Sequence, residues 1–509
     1  MDETSQALQK IARGTGIVSF GTVFWLFFEF LSRTIIARHY STSEYGVFNL
    51  SLTVLSIALV IATLGFQNSL PREVAFYRER EPSRVSDLIS TASIIVALNS
   101  IIWTIILILG AEDIAQIFNE MRLAYALKII AFALPFLALI GVTISISQGF
   151  GRVREKVYFQ NIIYPTLFLV LVLVGTFLNF PFTFVFFVYV VAQAFTLLAL
   201  IFDVWRVRLF GFRISLNLKI GSGLVVFSLP LLFMGILIFV MNWTDTLMLG
   251  YYSSSEAVGL YNAASPLAKL IQIFLISAGF IYVPIASQLY AQGRIEEIGR
   301  VYQLLTKWIF VLTLPLFSIV FLFPRTTINF FFGTKYAEAS SALRILALGF
   351  MCHTLMGPNG WSLIIIGETV FNMVGDLFAA ITNIVLNVIL IPLYGIEGAA
   401  MSTAVSYFVA NVFRSFWLYK RTKIHPFSWN YAKLLVISFV LLGIIQTIHL
   451  RVSNIWYEIL ILVIFLLVYL FLSLLSRSVD KEDVELFLAI EKKLRIELKI
   501  IKRTLRKFV

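Results

Sequence analysis

Fourteen long apolar segments, separated by short polar loops, constrain the fold of this chain more than any other feature. A helix needs about 20 apolar residues to cross a bilayer, and each segment is about that long or longer. The sequence therefore predicts an all-α integral membrane protein with about 14 transmembrane helices. The predicted spans are 14–37, 45–69, 88–110, 123–149, 159–179, 182–205, 222–249, 259–286, 303–324, 341–366, 369–393, 396–419, 430–450 and 455–476.

The composition leads to the same class of protein. Of the 509 residues, 59% are hydrophobic and only 13% are charged, whereas a soluble protein of this length needs more polar surface. The formal net charge is +12. In a membrane protein such an excess usually lies on cytoplasmic loops beside anionic lipid, so nucleic acid is not an expected partner.

Motifs for catalysis and metal binding are absent from the sequence. Cys352 is the only cysteine, which excludes an intramolecular disulfide framework, and the four histidines have no metal-ligand spacing. There is no glycine-rich phosphate loop ending in Lys-Ser or Lys-Thr, no His-Glu-x-x-His and no Gly-x-Ser-x-Gly. The sequence thus predicts neither an enzyme nor a bound cofactor or metal.

Basic residues concentrate in alternate loops, which predicts the orientation in the membrane. Cytoplasmic loops are enriched in Lys and Arg, so the loops that carry most of these residues are assigned to the inside. The sequence thus predicts a protein of the cell membrane. Because the number of spans is even, both termini then lie in the cytoplasm. The inner loops hold Arg72, Arg78, Arg80, Arg84, Arg152, Arg154, Lys156, Arg206, Arg208, Arg213, Lys219, Arg294, Arg300, Lys420, Arg421 and Lys423.

One short motif occurs twice in the chain, each time between two apolar segments. The copies cover residues 40–49 and 252–262, and the second carries one extra residue before its glycine. Otherwise both read Tyr-Ser, a hydroxyl residue, Ser-Glu, then Gly, an aliphatic residue, an aromatic residue and Asn. A second pair follows at nearly the same offset, since Gly65-Phe66 before Pro71 recurs as Gly279-Phe280 before Pro284. Two pairs in one order predict two homologous halves, as in many transporters.

The last 32 residues change character. Asp480, Glu482, Asp483 and Glu485 begin the segment 478–509, and apolar residues then recur at spacings of three and four. Lysine and arginine fill the other faces. This pattern predicts a basic amphipathic helix on the inner membrane surface, with binding of a partner protein as the alternative.

Ionisable residues within spans are costly and usually face a cavity or a partner, so they are the first candidate site residues. Glu29 and Arg33 lie four residues apart on span one and so share a helix face. Aligning the repeats on Tyr40 and Tyr252 places Arg33 opposite Asp245 of span seven. In a functional role, the two charges would form a gate or a cavity wall between the halves. In a structural role, they would belong to ion pairs or extend to the outer interface.

Further candidates lie deeper in the second half. Lys269 is about ten residues into span eight, where a lysine needs an anion such as a substrate phosphate or a carboxylate. Asp376, Asn383 and Asn387 form one polar stripe on span eleven. The stripe lines the cavity, coordinates a cation, or hydrogen-bonds to neighbouring helices. Asn242 beside Asp245 has the same alternatives.

Two other patterns concern the spans themselves. Gly357-Pro358-Asn359-Gly360 interrupts span ten, and the backbone groups that it frees should face protein or a water-filled cavity rather than lipid. Four basic residues lie near span ends and are expected to extend to the interface: Lys128, Lys307, Arg344 and Arg414.

The order of these features resembles a known family. Span one ends in Ala37-Arg38, the loop 40–48 follows, and the next span closes with Leu64-Gly65-Phe66 and Pro71-Arg72-Glu73. Gly149-Phe150-Gly151-Arg152 before span five fits the same pattern. Together these motifs resemble the Wzx-type polysaccharide-biosynthesis flippases of the multidrug/oligosaccharidyl-lipid/polysaccharide (MOP) exporter superfamily. The likeness in layout covers the whole chain, and the motifs are concentrated in residues 14–73.

This resemblance implies two six-helix lobes around a central cavity, residues 1–210 and 211–424, followed by spans 13 and 14 in 425–477. It also implies rocker-switch movement of a polyprenyl-phosphate-linked oligosaccharide from the inner to the outer leaflet. Membrane lipids and glycosyltransferase or polymerase partners would be expected. Without an ATPase, the driving force would come from a proton or sodium gradient, or from consumption of the product outside.

Two alternatives remain open. An ion-coupled exporter of drugs or organic cations from the same superfamily would need acidic cavity groups, for which Glu29, Asp245 and Asp376 are available. A membrane-embedded glycosyl- or acyltransferase would need a carboxylate or histidine site at a membrane face, and the short loops offer no clear one.

Overall fold

The computed structural model describes residues 3–209, 215–448, 455–478, 480 and 483. Within these ranges the chain is helical and contains no strand. The α-helices are α1 Glu3–His39, α2 Thr42–Thr63, α3 Phe66–Arg80, α4 Pro82–Leu109, α5 Ala111–Ile117, α6 Arg122–Ile130, α7 Ala133–Gly149, α8 Tyr164–Phe177, α9 Thr183–Arg206, α10 Leu218–Tyr252, α11 Ser255–Lys269, α12 Ile273–Ala291, α13 Ile295–Leu322, α14 Pro324–Phe332, α15 Ser340–Leu355, α16 Asn359–Ile365, α17 Thr369–Thr422, α18 Trp429–Ile448 and α19 Ile455–Leu475. A π-helix, Lys156–Ile163, precedes α8, and 3₁₀ turns cover Leu270–Gln272 and Thr334–Ala339.

Twelve helices in the described residues are long and apolar enough to cross a membrane, and the pair α6 and α7, bent by 43°, makes a thirteenth candidate. The protein is therefore a multi-pass membrane protein, as predicted. The remaining difference from the 14 predicted spans concerns α17, whose 54 residues cover the two predicted spans 369–393 and 396–419.

Helix α17 reverses direction at Gly395. Its backbone there has φ 55° and ψ −125°, a conformation outside the helical region that glycine tolerates best. Asn383 Nδ2 lies 3.4 Å from Thr403 Oγ1, although 20 residues of straight helix would separate them by about 30 Å. A Cβ at Gly398 would overlap the Leu390 carbonyl, so the two arms lie side by side. The arms correspond to predicted spans eleven and twelve.

The chain forms two compact units. The first comprises Met1–Pro266, Phe331–Ala342 and Asp376–Ser406, and the second comprises Leu267–Phe330, Leu343–Gly375 and Tyr407–Val509. The lobes 1–210 and 211–424 that the family resemblance implies stay a prediction, because the compact units are defined by contacts within the chain and the lobes by homology. Apart from residues 478, 480 and 483, the predicted amphipathic tail lies outside the described residues.

In the first unit the two copies of the repeated motif pack directly against each other. A Cβ at Gly46 would overlap the Ser255 carbonyl, and a Cβ at Gly259 would overlap the Thr42 carbonyl. The two backbones thus approach more closely than any other residue at these positions would allow. Ser43 Oγ and Ser255 Oγ are 2.6 Å apart across the same contact. We call this contact, formed by residues 42–46 and 255–259, the repeat junction.

A partly buried ion pair extends the repeat junction. Arg122 and Glu120 pair at 2.7 Å, Glu120 Oε2 accepts a hydrogen bond from Ser255 Oγ at 2.5 Å, and Arg122 donates to Ser43 Oγ. Burial raises the pKa of Glu120, but the hydrogen bonds from Arg122 and Ser255 outweigh it and hold the pKa below its usual range. Both motif serines are therefore tied to one carboxylate–guanidinium pair.

The second unit contains the predicted break in span ten. Helix α15 ends at Leu355 and α16 begins at Asn359, with Gly357 at φ +64° between them. Pro358 and Asn359 are buried, and Asn359 Nδ2 donates to Ser415 Oγ at 3.0 Å and to Asn411 Oδ1 at 3.1 Å. The break faces protein, as expected for backbone groups that lipid could not satisfy.

Two of the basic residues expected at the interface are buried instead. Lys307 is only 2% exposed, because Nζ donates to Asp483 Oδ2 at 2.6 Å and to Asp480. Arg414 is 9% exposed. The expectation that these two side chains extend to the membrane interface is wrong, since carboxylates replace water around Lys307 and neighbouring helices cover Arg414.

Candidate functional site

A cavity of about 560 Å³ lies within the first unit. Its walls come from α1, α2, α3, α7, the π-helix, α8, α9 and α10. The lining contains amide, hydroxyl and charged side chains beside aromatic rings. Polar groups inside a membrane bundle normally face a partner or a cavity, so this is the candidate substrate site.

Two of the predicted site residues lie in the cavity wall as a pair. Arg33 Nη2 donates to Glu29 Oε1 at 2.8 Å, as the four-residue spacing predicts, and Arg33 Nη1 donates to Asn49 Oδ1 at 2.9 Å. The side chains of Arg33 and Glu29 are 15% and 30% exposed. Because the pair carries no net charge, it offers a ligand hydrogen bonds more than electrostatic attraction.

Lys156 is the second cation of the cavity, and its surroundings differ. Among the described residues its ammonium has no ion-pair or hydrogen-bond partner, while the flanking Arg152 and Arg154 both pair with Glu155. Arg154 also pairs with Asp203 at 3.0 Å. Lys156 is half-buried and lines the cavity, so it supplies an uncompensated positive charge to whatever binds there.

Six amides belong to the remaining polar lining, beside serine, threonine and tyrosine hydroxyls. Gln67 and Asn68 come from the start of α3, Gln148 from the end of α7, and Gln160 and Asn161 from the π-helix. Gln193 of α9 also lines the cavity, on the same helix as Tyr189. Aromatic rings complete the wall, among them Trp25, Tyr164, Phe168 and Trp243. Neutral donors and acceptors beside flat apolar surfaces suit an uncharged polar ligand that carries many hydroxyl groups.

The other predicted residues form a separate polar cluster in the same unit. Asp245 is 7% exposed and accepts hydrogen bonds from Asn387 Nδ2 at 2.7 Å, Asn383 Nδ2 at 3.0 Å, the Tyr261 hydroxyl and Thr403. Among the described residues this carboxylate has no ion-pair partner. Asn387 Oδ1 is buried and has no hydrogen-bond partner in the described part of the chain. We call these five residues the Asp245 cluster.

The Asp245 cluster has the chemistry of a site for a small hard cation. Its potential ligands are the oxygens of one carboxylate, two amides and two hydroxyls, which sodium-like ions prefer. The unpartnered Asn387 oxygen is the observation in favour of an ion, because a buried acceptor normally has a partner. Protons are also compatible with a single buried carboxylate.

The structure thus places the predicted residues in different surroundings. Arg33 and Glu29 line the cavity, and Asp245, Asn383 and Asn387 form the buried cluster. Arg33 and Asp245 do not contact each other; each hydrogen-bonds within its own group. Asn242 is exposed and donates to the Ile238 carbonyl, Lys269 is exposed, and Asp376 is half-buried. The three last-named residues line neither the cavity nor the cluster.

Sequence reasoning missed Lys156 and the amides. Lys156 lies between the predicted spans 123–149 and 159–179, so the sequence places it in an inner loop. Nothing in a sequence distinguishes a π-helix from the start of an α-helix. The amides did give a signal, since Gln148, Asn161 and Gln193 interrupt predicted spans. A search for amides within spans, as well as for charges, would have found them.

The fold and the cavity define the class of protein: a multi-helix membrane transporter. The chain belongs to the polysaccharide biosynthesis protein family, whose model matches residues 11–290, more than half of the sequence. A second model, MatE, matches residues 230–389. The resemblance to the polysaccharide flippases of the MOP superfamily is therefore confirmed.

Several curated proteins are similar in sequence. Uncharacterized membrane protein MJ1068 of Methanocaldococcus jannaschii is 24% identical over 422 residues, which cover 77% of this chain and 80% of that protein. Probable low-salt glycan biosynthesis flippase Agl15 of Haloferax volcanii is 25% identical over 206 residues, 40% of this chain and 44% of the relative. Probable flippase AglR of the same organism is 26% identical over 171 residues, 32% of this chain and 35% of the relative.

Solved structures share the fold. The lipid II flippase MurJ in an inward closed conformation superposes with a TM-score of 0.71 at 15% identity, covering 90% of this chain and 98% of MurJ. An inward-facing multidrug resistance MATE transporter of the MOP superfamily gives a TM-score of 0.60 at 14% identity, covering 77% and 93%. At these identities the likeness concerns the fold alone.

Proposed function

We propose that this protein is a flippase that moves a polyprenyl-phosphate-linked oligosaccharide from the inner to the outer leaflet of the cell membrane by alternating access. The observation that carries the proposal is the polar cavity inside the helix bundle of a polysaccharide-biosynthesis family member. In the described part of the chain, the Lys156 ammonium and several amides in this cavity have no partner. The names of the flippase relatives support the proposal.

The chemistry of the cavity suits such a substrate. The polyprenyl tail can stay in the hydrocarbon, whereas the phosphate and sugar head cannot cross it unaided. Lys156 would offset the phosphate charge, and the amides would replace the water that the sugar hydroxyls lose. The reaction needs positioning and shielding only, so the protein would act as a transporter rather than an enzyme.

The loop charges support an orientation with both termini in the cytoplasm. In that orientation Lys156, beside Arg152 and Arg154, lies near the cytoplasmic mouth, where a phosphate head from the inner leaflet would enter. Product released outside would be used by a glycosyltransferase or polymerase, and its consumption would favour net export.

The proposal is tested in proteoliposomes that contain a fluorescent lipid-linked oligosaccharide. A glycan-modifying enzyme added outside should reach the inner pool only when the protein is present. Liposomes without protein, and liposomes with a variant that carries Lys156→Gln, serve as controls. If the inner pool stays protected while organic cations are transported, the protein is a drug exporter of the MatE type instead.

The Asp245 cluster supports a second proposal, that export is coupled to a cation bound there. A buried carboxylate with neutral partners and the unpartnered Asn387 oxygen would bind sodium or a proton during the transport cycle. We expect Asp245→Asn to abolish stimulation by an imposed sodium or proton gradient, and Asn242→Asp to leave it unchanged. Equal stimulation of the Asp245→Asn variant would exclude this site.

A further inference from the structure

The cavity amides differ from the other amides of the chain in how they are used. Amides in membrane helices usually hydrogen-bond to a neighbouring helix, as Asn99 does to the carbonyl of Ala62 at 2.9 Å and Asn359 to Asn411. In the part of the chain that the structure describes, five cavity amides have no side-chain hydrogen bond at all: Gln67, Asn68, Gln148, Gln160 and Asn161. Their donors and acceptors remain available to a ligand.

The π-helix places three of the cavity residues together. In an α-helix, residues four positions apart share a face, and a residue five positions on points away. Hydrogen bonds from residue i to i+5 widen the turn, so Lys156, Gln160 and Asn161 all reach the cavity wall. π-Helical turns are rare and are frequent at functional sites. Here the turn adds a second amide beside the lysine.

Glycines leave the space that two of the amides occupy. A Cβ at Gly141 of α7 would overlap the Gln67 amide, and a Cβ at Gly21 of α1 would overlap the Val157 side chain and lie 3.3 Å from Asn161 Nδ2. Both glycines lie on helices that form the cavity wall. The absence of side chains at these positions therefore keeps the amides in place and the cavity open.

Each carboxamide offers two donors and one acceptor without a net charge. This matches the hydroxyl and acetamido groups of a sugar, which also donate and accept, better than it matches a phosphate, which only accepts when fully ionised. Trp25 supplies a flat apolar surface for the ring itself. The charge of the substrate would be bound by Lys156, and the neutral sugar groups by the amides.

We propose that the five amides form a sugar subsite that recognises hydroxyl and acetamido groups of the glycan, separately from binding of the carrier phosphate. The inference rests on the proposed flippase function, and it makes the amides specificity-determining residues. Replacing them should change which head groups bind and leave the affinity for the phosphate unaltered.

The test compares two probes with the same short isoprenoid tail, farnesyl diphosphate and farnesyl diphosphoryl-N-acetylhexosamine. Their dissociation constants are measured for the full chain in nanodiscs. We expect the wild type to bind the probe that carries the sugar more tightly than farnesyl diphosphate. The double replacement Gln148→Leu and Gln160→Leu should remove this difference, with the affinity for the sugar probe falling by about 3- to 10-fold per amide. Lys156→Gln should weaken both probes equally and preserve the ratio.

A second variant guards against simple misfolding. Gly141→Ala should displace the flexible Gln67 side chain and reduce the sugar advantage without removing a polar group. The sugar subsite would be overturned if the wild type bound both probes with equal affinity. It would also be overturned if the ratio of the two dissociation constants stayed the same after the amide replacements. Because this assay measures binding, its failure is separate from a failure of glycan movement in proteoliposomes, which would overturn the flippase proposal.

Discussion

The two cations of the cavity show how neighbouring residues decide what a charge can do. Arg33 is neutralised by Glu29 and held by Asn49, so most of its hydrogen-bonding capacity is used within the protein. Lys156 has no such partner among the described residues, because Arg152 and Arg154 already pair with Glu155. Residue type alone would rank arginine as the better phosphate ligand, and the surroundings reverse that order.

Lys156 provides the prediction at this scale. We expect Lys156→Gln to lower the initial rate of glycan movement at least tenfold, since a phosphate entering the cavity would lose its only uncompensated cation among the described lining residues. Lys156→Arg should keep most of the rate. Lys219→Gln, at an exposed position outside the cavity, is the control and should transport like the wild type. Full transport by Lys156→Gln at equal expression would contradict the assignment.

Among the structural elements, the repeat junction gives the duplicated motif a physical explanation. Each copy begins the second helix of its repeat and presents a glycine to the other copy, so the motif residues Gly46 and Gly259 are required by close backbone approach. The sequence revealed the duplication but could not show that the copies touch, because more than 200 residues separate them.

The first prediction at this scale concerns Gly46. A Cβ there would meet the Ser255 carbonyl, a backbone atom that cannot move aside, so Gly46→Ala should prevent the two helices from packing. We expect a clear fall in Tm in detergent and loss of transport. Gly223→Ala, where nothing lies within 4 Å of the added Cβ, should be tolerated. A Gly46→Ala variant as stable as Gly223→Ala would show that the junction is loosely packed.

The second prediction concerns the pH dependence of the same junction. The pKa of Glu120 is held below its usual range by Arg122 and Ser255, which outweigh burial, so its stabilising effect is present above the pKa of an unfolded glutamate and is lost as the pH falls through the lowered value. Glu120→Gln should lower Tm by about 2–4 °C at neutral pH. The two proteins should converge in acid. A constant difference across that range would contradict the linkage.

For the whole molecule, the count of spans depended on one turn. Helix α17 passes every criterion for a single long helix except at Gly395, where the chain reverses. The sequence predicts two spans there, 369–393 and 396–419, because the apolar run is long enough to cross the bilayer twice. If α17 crossed the membrane only once, every later loop would lie on the opposite side of the membrane. The contact of Asn383 with Thr403 excludes an undivided helix.

Topology supplies the prediction for the whole molecule. A reporter active only outside the membrane should be active when fused after Glu120 and inactive when fused after Arg154, because alternate loops carry the basic residues. A reporter active only in the cytoplasm should give the opposite pattern. Activity of the outside reporter after Arg154 would reverse the orientation and move Lys156 to the outer side.

The sequence by itself determined those features of the protein that depend on residues close together in the chain. Apolar length produced the spans, the four-residue spacing produced the Glu29–Arg33 pair, and helical periodicity placed Asn383 and Asn387 on one face. Each of these rests on interactions within one helix. The family resemblance likewise followed from short motifs in residues 14–73.

Only the tertiary structure decided which residues meet. It brought Asp245 of α10 to the amides of α17, covered Lys307 with Asp480 and Asp483, and placed Lys156, the first residue of a π-helix, in the cavity wall. These contacts join distant segments or depend on a hydrogen-bond pattern with no signature in residue order. A polar side chain in lipid must find a partner, and only the packing of the helices determines which partner it finds.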